Sequence, residues 1–134
     1  MRNLKYFVVV CLAVLCVSCG SRSGNMRFVE DENSERRVLA NSILSYLQQE
    51  QFDKIVAHFD NNLRMQISKE QLAVIWAQLN VQFGEFSGGE YFITETIANV
   101  GEKVIYTTTF GGQRLFFELV FGRDNQIIGI FFRP

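Results

Sequence analysis

The sequence predicts an α+β fold, with N-terminal helices packed on a curved four-stranded antiparallel sheet. Three observations carry that prediction. Apolar residues recur at helical spacing as far as Gly84 and at a spacing of two beyond it. Ser68 and Gln71 stand three apart before an apolar run, the signature of a capping box. Val100-Gly101, Gly111-Gly112 and Asp124-Asn125 then punctuate the second half at the intervals of a strand meander.

The first helix is expected over Ser34–Gln49. Glu30, Asp31, Glu32 and Glu35 place negative charge at its start, where the helix dipole favours it. Val38, Leu39, Ile43, Leu44, Tyr46 and Leu47 follow at helical spacing, and Glu50-Gln51 marks the end only weakly. A second, short helix is expected from Phe52, Ile55, Val56 and Phe59, which form one stripe. Asp60-Asn61-Asn62 breaks it with turn chemistry. Leu63–Ile67 fits either a helical turn or a short extended piece. The next helix opens at the capping box, buries Leu72, Ile75, Trp76, Leu79 and Phe83, and stops at Gly84.

Strands are expected at about 91–99, 103–110, 114–121 and 126–132, with Gly88-Gly89 read as a turn before them. Gly111-Gly112 suits a two-residue hairpin because both residues tolerate positive φ. That loop sets Thr108 opposite Leu115, Tyr106 opposite Phe117 and Val104 opposite Leu119. A two-residue loop at Asp124-Asn125 sets Phe121 opposite Ile128 and Leu119 opposite Ile130. Both turns place Val104, Tyr106, Leu115, Phe117, Leu119, Phe121, Ile128, Ile130 and Phe132 on one face for the helices to cover. The opposite face carries Ile105, Phe116, Val120, Ile127 and Phe131 among Thr107, Thr109 and Glu118. A solvated sheet face normally alternates to polar residues. These five apolar residues are therefore interface candidates, with a homodimer as one expected partner state.

The N-terminus speaks to location. Arg2 and Lys5 precede an uncharged apolar run, Phe7–Val17, about half as long as a bilayer requires. Val17-Ser18 then places a small residue before Cys19, and Gly20-Ser21-Arg22-Ser23-Gly24 follows. This arrangement resembles the lipoprotein signal of bacteria, in which the thiol receives lipid and the peptide is cut just before it. The resemblance implies a signal peptide at 1–18, lipidated Cys19 with a flexible linker at 19–33, and a folded domain at 34–134. The partner implied for Cys19 is a membrane, with more than one acyl chain giving a firm hold. Gly20 and Ser21 carry no acidic inner-membrane retention signal, which points to the outer membrane facing the periplasm.

Composition narrows the chemistry. All three cysteines, Cys11, Cys16 and Cys19, precede the expected domain, which therefore has no disulfide, thiol nucleophile or thiolate metal site. Losing Arg2 and Lys5 would make the formal charge of −1 two units more negative, which argues against nucleic acid as a partner. Thirteen phenylalanines and a single proline, Pro134, fit a compact aromatic-rich core.

His58 is the only histidine, so no histidine cluster can hold zinc, and neither a metal nor a cofactor is expected. His58 with Asp60 is a candidate base and orienter, although residues two apart on a helix diverge. Glu118 is a candidate carboxylate base, yet the hairpin register puts it on the outer face. Asp53 and Asp60 sit off the stripe of the second helix. Tyr106, Trp76, Phe117 and Leu119 are pocket-lining candidates; Tyr106 and Trp76 pair an apolar body with a polar tip, and core packing is the competing role.

The order Phe59-Asp60, Met65, Ser68-Lys69-Glu70-Gln71-Leu72, Trp76, Leu79 and Gly84, closing on Gly129 and Phe132-Arg133-Pro134, resembles the bacterial domain of unknown function numbered 3887. That family looks like the nuclear-transport-factor-2-like superfamily, a cone-shaped, cystatin-like arrangement of helices on a curved sheet with a pocket between them. The superfamily holds isomerases and dehydratases as well as modules without activity. Where such domains often carry Gly-Asp after the first helix, this chain has Gln51-Phe52-Asp53. The resemblance assigns no catalytic residues. The expectation is a lipid-anchored envelope module that binds a small apolar ligand or a protein partner. The alternatives are a small isomerase or hydratase using a pocket carboxylate, and a module that dimerises through the outer sheet face.

Overall fold

The computed structural model describes residues 34–134; the expected signal peptide, Cys19 and the linker lie outside them. Helix α1 spans Glu35–Gln48, and the Ser34 hydroxyl caps it by accepting from the Arg37 N–H at 3.2 Å. Its apolar stripe buries Ala40, Ile43, Leu44 and Leu47. The helix stops through Glu50, which takes a left-handed conformation at φ 55°. The Gln51 N–H donates to the Tyr46 carbonyl at 2.8 Å and the Glu50 N–H to Leu47 at 3.1 Å. This is the closing geometry usually built on glycine. A glutamate supplies it here, so the sequence carries no stop signal.

Helix α2 covers only Phe52–Val56 and ends before Phe59. The chain is drawn off because its backbone is needed elsewhere. The Ile127 N–H donates to the His58 carbonyl at 2.8 Å, and the Asp60 N–H donates to the Ile127 carbonyl at 2.9 Å. Phe59 thereby forms a parallel bridge with Ile127 and is itself fully buried. Asp60 also opens helix α3, Asn61–Gln66, its carboxylate accepting from the Leu63 N–H at 2.8 Å. The Leu63–Ile67 stretch is thus resolved as helix up to Gln66. Helix α4, Lys69–Phe83, has both halves of its capping box, at 3.2 Å and 2.8 Å. It ends at Gly84, whose φ of 99° suits glycine.

The sheet is an open antiparallel meander in the order β1-β2-β3-β4. The strands are β1 Phe86–Ile97, β2 Gly101–Phe110, β3 Gln113–Phe121 and β4 Ile127–Arg133. The Gly111-Gly112 loop gives the expected register: Thr108 faces Leu115, Tyr106 faces Phe117 and Val104 faces Leu119. Leu119 likewise faces Ile130.

Two sequence expectations are corrected. Gly88-Gly89 is not a turn but part of β1, which begins five residues earlier than the alternation suggested; register shifts fall between Phe86 and Gly88 and between Tyr91 and Ile93. The β3–β4 connection is longer than two residues, closed by Gly122 N–H to Gln126 carbonyl at 2.9 Å. A register shift after Val120 then pairs Phe121 with Ile127 instead of Ile128. Ile127, expected on the outer face, is consequently turned into the core and fully buried.

The inner face of the sheet meets the helices in one aromatic-rich core. Trp76 from α4 packs edge-on against Phe86 at 5.1 Å and Phe110 at 5.5 Å between ring centres. Phe117 and Phe132 lie 4.8 Å apart beneath it. Buried side chains of this size each contribute about 1.5–3 kcal/mol, so the core stabilises the domain without a disulfide. Arg36 fastens the start of α1 to the sheet. It pairs with Glu102 at 3.0 Å and donates to Asn125 Oδ1 at 2.7 Å and to the Gly122 carbonyl at 3.1 Å.

Candidate functional site

A cleft of about 340 Å³ opens between α1 and the first half of β1. One wall is the α1 face carrying Asn41, Leu44, Ser45 and Gln48, residues three or four apart and therefore on one side of the helix. The other wall is Phe86, Gly88, Gly89 and Tyr91 from β1, with Tyr106 behind it. The glycine pair makes the opening. A Cβ on Gly89 would lie 3.4 Å from Leu44 Cδ1 and 3.0 Å from Thr108 Cγ2. Any larger side chain there would have to project into the cleft.

Tyr106 links this cleft to the core. Its ring is buried against Tyr91, 6.0 Å away and nearly perpendicular, and against Phe117 at 6.5 Å. Its hydroxyl donates to Asn41 Oδ1. Burial pushes the Tyr106 hydroxyl up to about 12, with the Arg37 charge opposing and Tyr91 adding to the rise. The phenol therefore keeps its proton and serves as a donor. Arg37 sits over the Tyr91 ring, 3.7 Å from its centre, and the Tyr91 hydroxyl is 3.0 Å from Thr94 Oγ1. The cleft offers amide and hydroxyl groups above an apolar floor of Leu44 and Phe86, and no carboxylate lines it. The lining can both donate and accept hydrogen bonds beside apolar surface.

The other candidates are dispersed. Trp76, Phe117 and Leu119 are packed inside the core, and of the four pocket-lining candidates only Tyr106 borders the cleft. His58 is half-buried, with its carbonyl committed to Ile127. Asp60 is occupied in capping α3, and Asp53 is exposed in the first turn of α2. Among the described residues, no group of three or more histidines, cysteines or carboxylates gathers as a metal would require.

Glu118 lies on the outer face, 8 % exposed, in a ring made by Phe116 and Val120 along its strand and Ile105 and Phe131 across from it. Arg133 Nε is 3.3 Å from Glu118 Oε2. That is close enough for charge attraction, but Oε2 receives no hydrogen bond. Ile105 is buried, Val120 and Phe131 are half-buried and Phe116 is 38 % exposed. Sequence reasoning missed Phe92. It is 59 % exposed and packs on Phe116 with ring centres 5.6 Å apart. The signal was present: Tyr91-Phe92-Ile93 puts three apolar residues in a row, which breaks alternation and marks a bulge. The cleft was missed because Gly88-Gly89 reads locally as a turn, and only its pairing with β2 shows otherwise.

No curated protein and no solved structure matches the chain. A comparison with known families matches residues 40–130, from the middle of α1 into β4, to the family described as "Protein of unknown function (DUF3887)". That span covers two-thirds of the sequence, strands β1 to β3 entire and the first part of β4, and the chain belongs to this family.

Proposed function

We propose that the domain is a non-catalytic binding module of the bacterial cell envelope, tethered through lipid on Cys19, which takes a small ligand in the α1–β1 cleft. The observation that carries the reading is the cleft itself: an open recess with amide and hydroxyl groups at its rim and apolar residues at its floor. Its size falls at the lower end of small-molecule sites, which run about 300–1,000 Å³. The ligand that fits has a short apolar body and one or two hydrogen-bonding groups. The same reading takes the domain to be of the nuclear-transport-factor-2-like kind; what supports this is that helices cover one face of a four-stranded antiparallel sheet. The isomerase or hydratase alternative lacks its central part, because Asp60 caps a helix and Glu118 faces away from the cleft.

The test is a titration followed by amide and side-chain NMR, with 1-anilinonaphthalene-8-sulfonate as probe. Saturable shifts centred on Asn41, Ser45, Gly88, Gly89 and Tyr91 support the site. Shifts scattered over the surface, or none at millimolar probe, refute it. The tether is tested by Cys19→Ala, which is expected to move the protein out of the membrane fraction. Unchanged fractionation would refute lipid attachment.

A further inference from the structure

We propose that the outer face of the sheet is a self-complementary contact surface, and that its occupant is a second copy of this chain. Two observations point to a partner. Phe92 and Phe116 form an exposed aromatic pair on a face that no described helix covers. Beside them, the Glu118 carboxylate is nine-tenths buried and one of its oxygens receives no hydrogen bond. A buried carboxylate oxygen that has an ion pair at 3.3 Å but no hydrogen bond is only partly satisfied, so a second donor would stabilise it.

The strand register says which molecule can bring that donor. Phe116 pairs with Arg133 and Glu118 pairs with Phe131, so the four residues stand at the corners of a parallelogram. Glu118 and Arg133 occupy one diagonal; Phe116 and Phe131 occupy the other. All four side chains project from the same face, because two-residue steps along paired strands keep one side. A two-fold axis in the contact plane, running close to the aromatic diagonal, brings two copies face to face. Glu118 of each copy then lies opposite Arg133 of the other, while Phe116 and Phe131 each meet their own counterparts. Arg133 pairs with Glu118 of its own chain and lies over the Phe131 ring at 5.5 Å, but its side chain is 60 % exposed and its guanidinium has donors besides the Nε beside Glu118, so it can reach a second copy as well. Isologous contacts need this kind of reciprocity, in which residue i meets j and j meets i. The face supplies both a buried acid that lacks a hydrogen bond and an exposed base, so no foreign donor is required.

The test uses the full chain in mild non-ionic detergent, by sedimentation equilibrium, with circular dichroism confirming that each variant is folded. The wild-type chain is expected to be dimeric at about 100 μM. Glu118→Arg alone and Arg133→Glu alone are each expected to sediment as monomers, with association weakened at least tenfold. An equimolar mixture of the two variants is expected to re-form a dimer. In the mixture every cross-copy pair is of opposite charge, while each chain keeps like charges within itself. A purely intramolecular role for the Glu118–Arg133 pair cannot produce that recovery. A monomeric wild-type chain overturns the proposal, as does a mixture that stays monomeric when both variants are folded. If a variant fails to fold, Phe116→Lys at the exposed aromatic corner takes its place, and an unchanged dimer then overturns the proposal.

Discussion

Replacing Tyr106 by phenylalanine tests the join between core and cleft. The substitution keeps the ring contacts with Tyr91 and Phe117 and deletes only the hydroxyl that donates to Asn41. Asn41 is exposed, so water replaces the lost donor, and the loss near neutral pH is about 0.5–1 kcal/mol. The larger effect lies at alkaline pH. The folded hydroxyl is raised from 10.0 to about 12, mainly by burial. A raised folded value means that the stabilisation is complete below pH 10 and is lost as pH rises towards 12, because the unfolded chain ionises first. Two pH units correspond to about 2.7 kcal/mol at full strength; water at the cleft mouth reduces this to roughly 1–1.5 kcal/mol. The assay is urea unfolding of both proteins at half-unit steps from pH 8 to pH 12. The wild-type chain should lose its advantage across that window and fall below the variant near its upper end. A difference between the two that stays constant with pH would refute the burial of the hydroxyl.

Four other outcomes are expected. Gly111→Ala should cost about 2–4 kcal/mol, because its Cβ would lie 2.6 Å from the Phe83 carbonyl oxygen and 2.8 Å from Gly84 Cα. Gly112→Ala, at φ 83° with open space around it, should cost only the backbone strain of about 1–2 kcal/mol; equal losses in thermal unfolding would deny the close approach of helix end and hairpin. Glu50→Gly should stabilise the domain by about 0.5–1 kcal/mol by relieving a left-handed glutamate, and a lower melting temperature would contradict the assigned helix end. Arg36→Lys should cost about 1 kcal/mol, since Nη1, Nε and Nη2 of the guanidinium reach Glu102, Asn125 and the Gly122 carbonyl separately and a lysine has one nitrogen to offer; chemical denaturation with an unchanged midpoint would show that the three-way tie contributes nothing.

The fold was legible wherever short-range chemistry decides geometry. Ser68 with Gln71 announced α4, and Gly111-Gly112 set the β2–β3 register that places Tyr106 and Phe117 inward. Legibility failed wherever a distant partner decides. Phe59 continues the apolar stripe of α2, yet its neighbours' backbone groups are claimed by Ile127, far along the chain. Ile127 alternates correctly for the outer face, yet one extra residue in its hairpin turns it inward. The candidate cleft was half legible. Tyr106 stood out as an amphipathic residue on the inner face, but its opposite wall is defined by glycines, and an empty space leaves no apolar signal to read.

The two outermost strands of the meander share a property that bears on solubility. Along β1, breaks in pairing at Ser87 and Phe92 interrupt the regular strand. At the head of β4, the His58–Asp60 segment already occupies the backbone groups of Ile127. Uninterrupted outer strands are templates on which foreign strands add, and aggregation begins there. This sheet is blunted at both margins, which leaves side chains, not main chain, to govern whom it meets.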